Sequence, residues 1–369
     1  MNFEYYSQTL SGEIPNIKRI EELKTKLTQL QKDNSDTTKE EQTIKNEINK
    51  IYDIFCQKNP TLFFQYMRGQ GKDAEELKNF WIGSLKNQQQ KLGELRGKFK
   101  EIIDIVIPKI DKDFISILPK YSFAIQFKFK LAKPYISKDD REFYILDNPV
   151  KKEWVFKIPM VSPTTWKGNL RWTIRKIKGL TDEPFVSDDN QLVRLFGNER
   201  EGENHQQGCL IFYPTFFYNI GVEVINPHDR KTKAGIRPIF IEAVPENTEG
   251  IFTLVYVPQF EKDLSKVRTN VKEDLDIIIK AVKAMMFEYG FSAKKSSGYG
   301  IIKDELSFCQ FVINGISLPE KPKKPRELKR LKSFKELKKF LVREEEFFGF
   351  QFFEEKAKLI IKELEKFND

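Results

Sequence analysis

The sequence predicts an α+β fold, and three observations predict it. Apolar residues recur at helical spacing through the first hundred positions, and from Tyr121 the period drops to two. It then switches back and forth between the two periods as far as Ile313. A chain of 369 residues has room for two domains, or for one domain with large helical additions.

Ile17, Ile20, Leu23, Leu27 and Leu30 open the pattern with one helical face, predicted over residues 17–31. The polar break "KDNSDTTKEE" follows, in which Thr38 and Glu41 fit a capping box. Ile44, Ile48, Ile51 and Phe55 then mark a second helix, so the pair reads as an antiparallel hairpin with a narrow apolar seam. A third long helix is expected from Asp73 to Val106, with Leu92, Leu95, Phe99, Ile102 and Val106 on one face. Tyr121, Phe123, Ile125, Phe127, Phe129 and Leu131 alternate with smaller and polar residues, the pattern of a half-buried strand. After Pro163 a helix is predicted with Thr164 or Thr165 as its N-cap and with Leu170, Ile174 and Ile177 buried. Strands are expected at "GCLIFYPTFF" and "GIFTLVYVP", then a helix from Val271 to Tyr289 closed by Gly290, a glycine loop, and a last strand in "IIKDELSFCQFVI". The order β, α, β, then β, α, β suggests a ferredoxin-like (split βαβ, RRM-like) domain with inserted loops. Three prolines and many lysines in "LPEKPKKPRELKRLK" read as a linker, followed by one or two amphipathic helices. The expected division is a helical N-terminal extension over 1–115, the ferredoxin-like domain over 116–318, and a basic linker with C-terminal helices over 319–369.

Composition narrows the class. Hydrophobic residues make up 40% and charged residues 32% of the chain, which suits a globular core, and no stretch of about 18 apolar residues offers a membrane span. "MNFEYYSQTL" has neither the basic head nor the apolar stretch of a signal peptide. Cys56, Cys209 and Cys309 are isolated and form no disulfide or zinc pattern. A cytoplasmic protein is expected. The net charge of +9 is largely local, since residues 320–343 hold 11 basic and 3 acidic residues. A basic balance points to a polyanionic partner, nucleic acid first, or merely to a lysine-rich soluble surface.

Four stretches carry candidate chemistry. In "MVSPTTWKGNLRWTIRK" a turn opens a helix whose N-terminal N–H groups suit a phosphate. Gly168 allows close approach, and Lys167, Arg171 and Arg175 recur at spacings of four on one face. Trp166 and Trp172 suit base stacking or packing on a sheet, and the whole stretch also fits an amphipathic helix with a solvated basic face. In "FSAKKSSGYGIIKDE", Lys294, Lys295, Ser296 and Ser297 supply donors, Gly298 and Gly300 flexibility, and Tyr299 a stacking face. It is no Walker motif, because the GK[ST] order is absent, and a plain helix-to-strand turn fits as well. In "YILDNPVKKEW", Asp147 suits metal coordination or activation of a 2′-hydroxyl, or simply forms a turn. In "EVINPHDRKTKAGIRPIFIE", His228 and Arg230 lie in a polar cluster after a strand, and His228 is an acid–base candidate or a structural histidine. With only His205 and His228 in the chain, no Ser-His-Asp or Cys-His arrangement is suggested.

The order of these stretches resembles the RAMP superfamily. "DNPVKKEWVFKIPMVSPTTWKGNLRW" is similar to the family segment in which a D-N-P-like turn precedes "P-x-I-P-G-S-S-L-K-G-x-x-R", with Pro159, Thr164, Thr165, Lys167, Gly168 and Arg171 matching. "RLFGNEREGENHQQGCLIFYPTFF" resembles the "F-G … G-x-L-x-F-x-D-A" element, and "NPHDRKTKAGIRPIFIEAVPENTEGIFTLVY" the "N-P-H … P-I-x-F-E-x-V" element. "KKSSGYGII" is like the family's glycine-rich loop. Pro163-Thr164-Thr165-Trp166 departs from G-S-S-L, and Thr215 stands where the family often has an acid. The resemblance spans Tyr121 to Ile313.

What it implies is a guide-RNA-binding subunit of a type III CRISPR effector complex, with guide RNA, target RNA and other effector subunits as partners and no membrane. The implied RNA contacts are Thr164, Thr165, Trp166, Lys167, Gly168, Arg171, Arg175, His228, Arg230, Lys294, Lys295, Ser296, Ser297, Gly298 and Tyr299. Filament-forming members cut target RNA with a loop aspartate and a divalent metal, magnesium by expectation. Asp147, 20 residues before Lys167, occupies that place, and makes the chain a metal-dependent endoribonuclease. The alternatives are a non-catalytic capping or accessory subunit that binds guide RNA and a partner protein, and a guide-processing endoribonuclease. The last relies in this family on a histidine near the start of the first domain, where neither His205 nor His228 lies.

Overall fold

The structure, a computed structural model, describes residues 2–32, 38–58, 83, 89–90, 92–94, 106–139, 148–180, 189–198, 205–226, 238–316 and 349–366. In chain order the elements are α1 (Asn2–Lys32), α2 (Thr38–Lys58), α3 (Lys112–Ser116), β1 (Phe123–Lys130), β2 (Met160–Val161), α4 (Pro163–Ile177), α5 (Asn190–Phe196), β3 (Leu210–Phe212) and β4 (Thr215–Phe216). They continue with β5 (Gly221–Ile225), β6 (Ile239–Ala243), β7 (Glu249–Tyr256), α6 (Leu264–Ala284), β8 (Ser307–Ile313) and α7 (Gln351–Glu365). Among the described residues no helix is long and apolar enough to cross a membrane. The chain divides into two compact units, one of Met1–Gly97, Lys138–Ile158 and Asn219–Ala243, the other of Lys98–Ser137, Pro159–Tyr218 and Val244–Asp369.

In the first unit, α1 and α2 pair through Ile20 and Leu23 on one helix and Ile44, Ile48, Tyr52 and Phe55 on the other, all buried. Two ion pairs fix the direction. Arg19 meets Glu47 at 2.9 Å and Lys26 meets Glu40 at 3.4 Å, so partner numbers fall as numbers rise and the helices are antiparallel. The helix starts at Asn2, earlier than the apolar spacing predicts, and runs through Gly12 and Pro15, residues that ordinarily disfavour a helix interior. Of the third predicted helix, only residues 83, 89–90, 92–94 and 106 are described, and these are helical. Strands β5 and β6 form an antiparallel hairpin with Gly221 opposite Ala243 and Ile225 opposite Ile239.

The second unit is built on a four-stranded antiparallel sheet in the order β3-β7-β1-β8. Central β1 places Phe123, Ile125, Phe127 and Phe129 on one face, where α4, α6 and α7 bring Trp166, Tyr256-bound Asp274 and Phe353. Phe127 lies 5.2 Å from both Phe252 and Phe353, ring to ring. The half-buried reading of β1 needs correction. Its other face is covered by Ile110 and Ile115, which pack on Ala124 and Val255. Gln126 on that face is satisfied by Pro108 O at 3.1 Å and Thr253 Oγ1 at 2.9 Å. A polar residue in a strand reads as solvent-facing unless its partners are known.

Other boundaries shift for local reasons. "GCLIFYPTFF" splits at Tyr213-Pro214 into β3, in the large sheet, and β4, which pairs with β2 instead. Helix α6 begins at Leu264, where the Asp263 carboxylate accepts from Ser265 N–H, one full turn and more before Val271. A π-helical turn over Met285–Tyr289 and Gly290 at φ 75° end it. Ile177, expected in the core, is 39% exposed at the last position of α4.

Candidate nucleic-acid interface

Helix α4 is set by its cap. Ser162 is the N-cap, not Thr164 or Thr165. Its Oγ accepts from Thr165 N–H at 3.2 Å and lies 2.9 and 2.8 Å from the two threonine hydroxyls, while its carbonyl accepts from Trp166 N–H. Pro163 takes the first helical position, where a missing N–H costs nothing. The first turn therefore spends its donors on its own cap, leaving Thr164 N–H as the one such group for a ligand. The positive charge of this stretch is therefore carried by side-chain cations more than by the helix terminus.

Those cations sit on the side away from the sheet. Lys167 and Arg171 are exposed and Arg175 is half-buried. Gly168 is exposed between them, and a Cβ added there meets nothing within 4 Å. The face about 100° round the helix carries Trp166, Leu170 and Ile174, each 0% exposed.

Trp166 is therefore a correction. Its indole lies 4.5 Å from the ring of Phe291 and 5.0 Å from Phe252, and its Nε1–H donates to Thr215 Oγ1 at 3.2 Å. Thr215 Oγ1 in turn donates to Ile251 O at 2.6 Å. A fully buried ring offers no face to a base, so Trp166 is core, and Thr215 exists there as its polar partner.

The glycine loop meets this helix from 120 residues further along. Asn169 Nδ2 donates to Phe291 O at 3.3 Å, and Trp172 packs edge-on against Tyr289 with centroids 5.2 Å apart. Lys295 Nζ lies 4.3 Å above the Trp172 ring and Lys176 Nζ 5.5 Å from it. Burial lowers the Lys295 ammonium pKa from its ordinary value, so an anion arriving beside it favours the charged form. Lys294, Ser296, Ser297 and Gly298 are exposed, and Tyr299 is half-buried. Trp172, Lys176, Asn169 and Tyr289 join the cluster without having stood in the expected RNA-contact set. Helical spacing from Lys167 would have found Lys176 only approximately, and no spacing rule links Tyr289 to Trp172.

The loop is rigidly mounted. Ile136 N–H donates to Ser292 Oγ and Ser292 Oγ–H to Ile136 O, both at 2.7 Å, and Gly300 N–H donates to Pro134 O at 2.9 Å. Gly300 has φ +70° and a Cβ there would fall 2.3 Å from Ser292 Cβ, so glycine is required. Lys294 is left-handed at φ 56°, a conformation that costs a non-glycine residue energy.

The structure thus joins α4 to the segment 289–299 through Asn169 and Trp172, with Lys176 at the same indole, while Lys167, Gly168 and Arg171 lie exposed on the same helix. Asp147, His228 and Arg230 lie outside the described residues. The chain beside Asp147 is described, however. Asn148 O accepts Glu242 N–H at 3.1 Å, and Asp139 N–H donates to Pro149 O at 3.2 Å. Among the described residues no group of three or more His, Cys, Asp or Glu side chains could hold a metal ion.

Comparison with known proteins places this arrangement. The chain matches the RAMP superfamily over residues 81–303. It is 29% identical over 173 residues to the CRISPR system Cms endoribonuclease Csm3 of Streptococcus thermophilus, a match covering 43% of this chain and 75% of that protein. The protein of the same name from Mycobacterium tuberculosis is 26% identical over 181 residues, covering 43% and 74%. A chain in the cryo-EM structure of the Type III-B Cmr-beta bound to cognate target RNA overlays 60% of this chain and 67% of its own, with 15% identity and a TM-score of 0.39.

Proposed function

This chain belongs to the RAMP superfamily, and from that membership we propose that it is a guide-RNA-binding subunit of a type III CRISPR effector complex that cuts target RNA at Asp147. The βαββαβ order and the antiparallel sheet β3-β7-β1-β8 fit a ferredoxin-like domain. The observation that carries the reading is the meeting of the glycine loop with the cationic helix α4, made through Asn169 and Trp172 with Lys176 at the same indole. Lys167 and Arg171 stand exposed beside the exposed Gly168 on α4, and Lys295 of the loop lies over the half-buried indole of Trp172 on the same helix, charges and a stacking surface of the kind that track a nucleic-acid backbone. The endoribonuclease names of the two relatives favour a cutting subunit over a capping one.

The cleavage chemistry needs a base near a 2′-hydroxyl. The Asp147 carboxylate takes the proton of the target's 2′-OH, the oxygen attacks the adjacent phosphorus, and the P–O5′ bond breaks. The departing 5′-oxygen takes a proton from water, and the products are a 2′,3′-cyclic phosphate and a 5′-hydroxyl end. A divalent ion, magnesium by expectation, is proposed to neutralise phosphate charge. Among the described residues no group of three or more His, Cys, Asp or Glu side chains would hold it.

The test is the assembled complex carrying Asp147→Ala, incubated with a guide-matched target RNA, with and without chelator. Loss of cutting with retained guide and target binding is the expected outcome. Cutting at the wild-type rate sinks the assignment and leaves a binding-only subunit.

A further inference from the structure

Lys295 is a half-buried cation that no carboxylate meets. It opens the short helical turn Lys295–Ser297 of the glycine loop, and among the described residues its ammonium has neither an ion pair nor a hydrogen bond. Its partner is the Trp172 indole, with Nζ 4.3 Å above the ring. Lys176, one helical turn further along α4, brings a second ammonium to 5.5 Å from the same ring. Tyr289 closes the edge of that indole, with centroids 5.2 Å apart and planes at 87°.

A lysine in a loop normally extends into water, where its long stem stays mobile and its ammonium hydrated. Lys295 gives up both. Burial disfavours its charged form, and a second cation at the same ring repels it. The indole face offsets part of that cost, but it neutralises neither charge. The loop backbone fixes where Lys295 leaves the main chain: Phe291 N–H donates to Gly300 O at 3.0 Å, Ser297 N–H to Lys294 O at 2.9 Å, and Gly298 N–H to Lys295 O at 2.8 Å. The indole fixes where its charge ends. Two ammoniums gathered at one ring suit an anion from outside the chain.

We infer that Trp172 is a positioning residue for RNA binding: its indole holds the Lys295 ammonium beside Lys176, so that both cations meet the same stretch of RNA backbone phosphate. Its role is to hold charge rather than to stack a base. This rests on the reading of the chain as an RNA-binding subunit, and not on the cleavage assigned to Asp147.

The full chain is titrated with a 5′-labelled single-stranded RNA over a range of salt concentrations. The proteins compared are wild type, Lys167→Ala, Lys295→Ala, Trp172→Leu, Trp172→Phe and Trp172→Leu/Lys295→Ala, with a melting temperature for each. Lys295→Ala should bind about threefold to tenfold more weakly and lower the slope of log K against log salt by about 0.7, the share of one phosphate contact on a single strand. Trp172→Leu removes no charge, yet should lower the slope by most of the same amount. Trp172→Phe keeps a ring face and should recover most of the loss. The double variant should bind about as well as Lys295→Ala alone, because the ring then has no Lys295 to hold. Should Trp172→Leu not fold, Trp172→Met fills the same space with a flexible apolar chain. A weaker Trp172→Leu with a wild-type slope means that the indole stacks a base, and overturns the inference. So does a Trp172→Leu that binds like wild type, or a Trp172→Phe no better than Trp172→Leu. Wild-type binding by Lys295→Ala beside a weakened Lys167→Ala takes the glycine loop away from the RNA, and overturns the inference while sparing the function. A wild type that binds RNA without salt dependence, or not at all, overturns both.

Discussion

Gly168 and Gly300 show how differently two glycines can be held in one site. At Gly300 the fold itself demands glycine, through φ +70° and a neighbour 2.3 Å from any Cβ. At Gly168 it does not. The residue is in the interior of α4, where glycine costs about 1 kcal/mol relative to alanine, and a Cβ there touches nothing. In the proposed RNA-binding role, the missing side chain leaves room for the RNA backbone next to Lys167 and Arg171. Gly168→Ala should therefore raise the melting temperature and weaken RNA binding in the same protein. Thermal denaturation and an RNA titration at fixed salt check this. A variant that is more stable and binds RNA as well as wild type would remove Gly168 from the interface. Trp166 teaches the complementary lesson. In the sequence it stands between two threonines and a lysine and looks as available as Trp172. Only the positions of Phe252, Phe291 and Thr215, 49 to 125 residues away, show that one indole is core and the other is held under a lysine.

At the scale of elements, short α5 is joined to the sheet and to α6 by one carboxylate. Asp274 of α6 is 0% exposed and accepts from Arg194 Nε at 2.8 Å, Arg194 Nη2 at 2.7 Å, Gln191 Nε2 at 3.1 Å and Tyr256 Oη at 2.8 Å. Removing it leaves a largely buried guanidinium and a buried phenol without their acceptor. Asp274→Ala should cost about 3–5 kcal/mol in urea unfolding. The Arg194→Ala/Asp274→Ala double variant should cost less than the two single changes together, because the first substitution already breaks the network. Additive losses would show that the two side chains act separately. None of this is legible locally. Asp274 sits in "VKEDLDIII" like any acid on the wet side of a helix, and its partner is 80 residues away. What the sequence did make legible at this scale are the periods. The strand at β1, the helix after Pro163 and the helix ending at Gly290 follow from spacing and cap chemistry. The starts follow less well: Ser162, not Thr164 or Thr165, caps α4, and α6 begins after Asp263 rather than at Val271.

Across the whole molecule, the burial that assembles these elements also traps acidic protons. Burial raises the Cys209 thiol from its ordinary 9.0 to about 11, with the Asp274 charge adding to it, and raises Cys309 from 9.0 to about 12. It raises the Tyr135 phenol from 10.0 to about 12, and pushes Tyr256 up as well, again with help from Asp274. Each group holds its proton more tightly folded than unfolded. Below pH 9 both states are protonated and this contribution to stability is fully present. As pH rises past 9.0 and 10.0 the unfolded chain gives up protons first, and the contribution is lost progressively until the folded values near 11 to 12 are passed. The urea midpoint should therefore fall steadily between pH 9 and 12. Cys309→Ala should flatten part of that fall, since alanine has no proton to lose. Wild type and Cys309→Ala with the same slope would mean that the Cys309 thiol titrates alike in both states, and that this edge of the sheet is open to water.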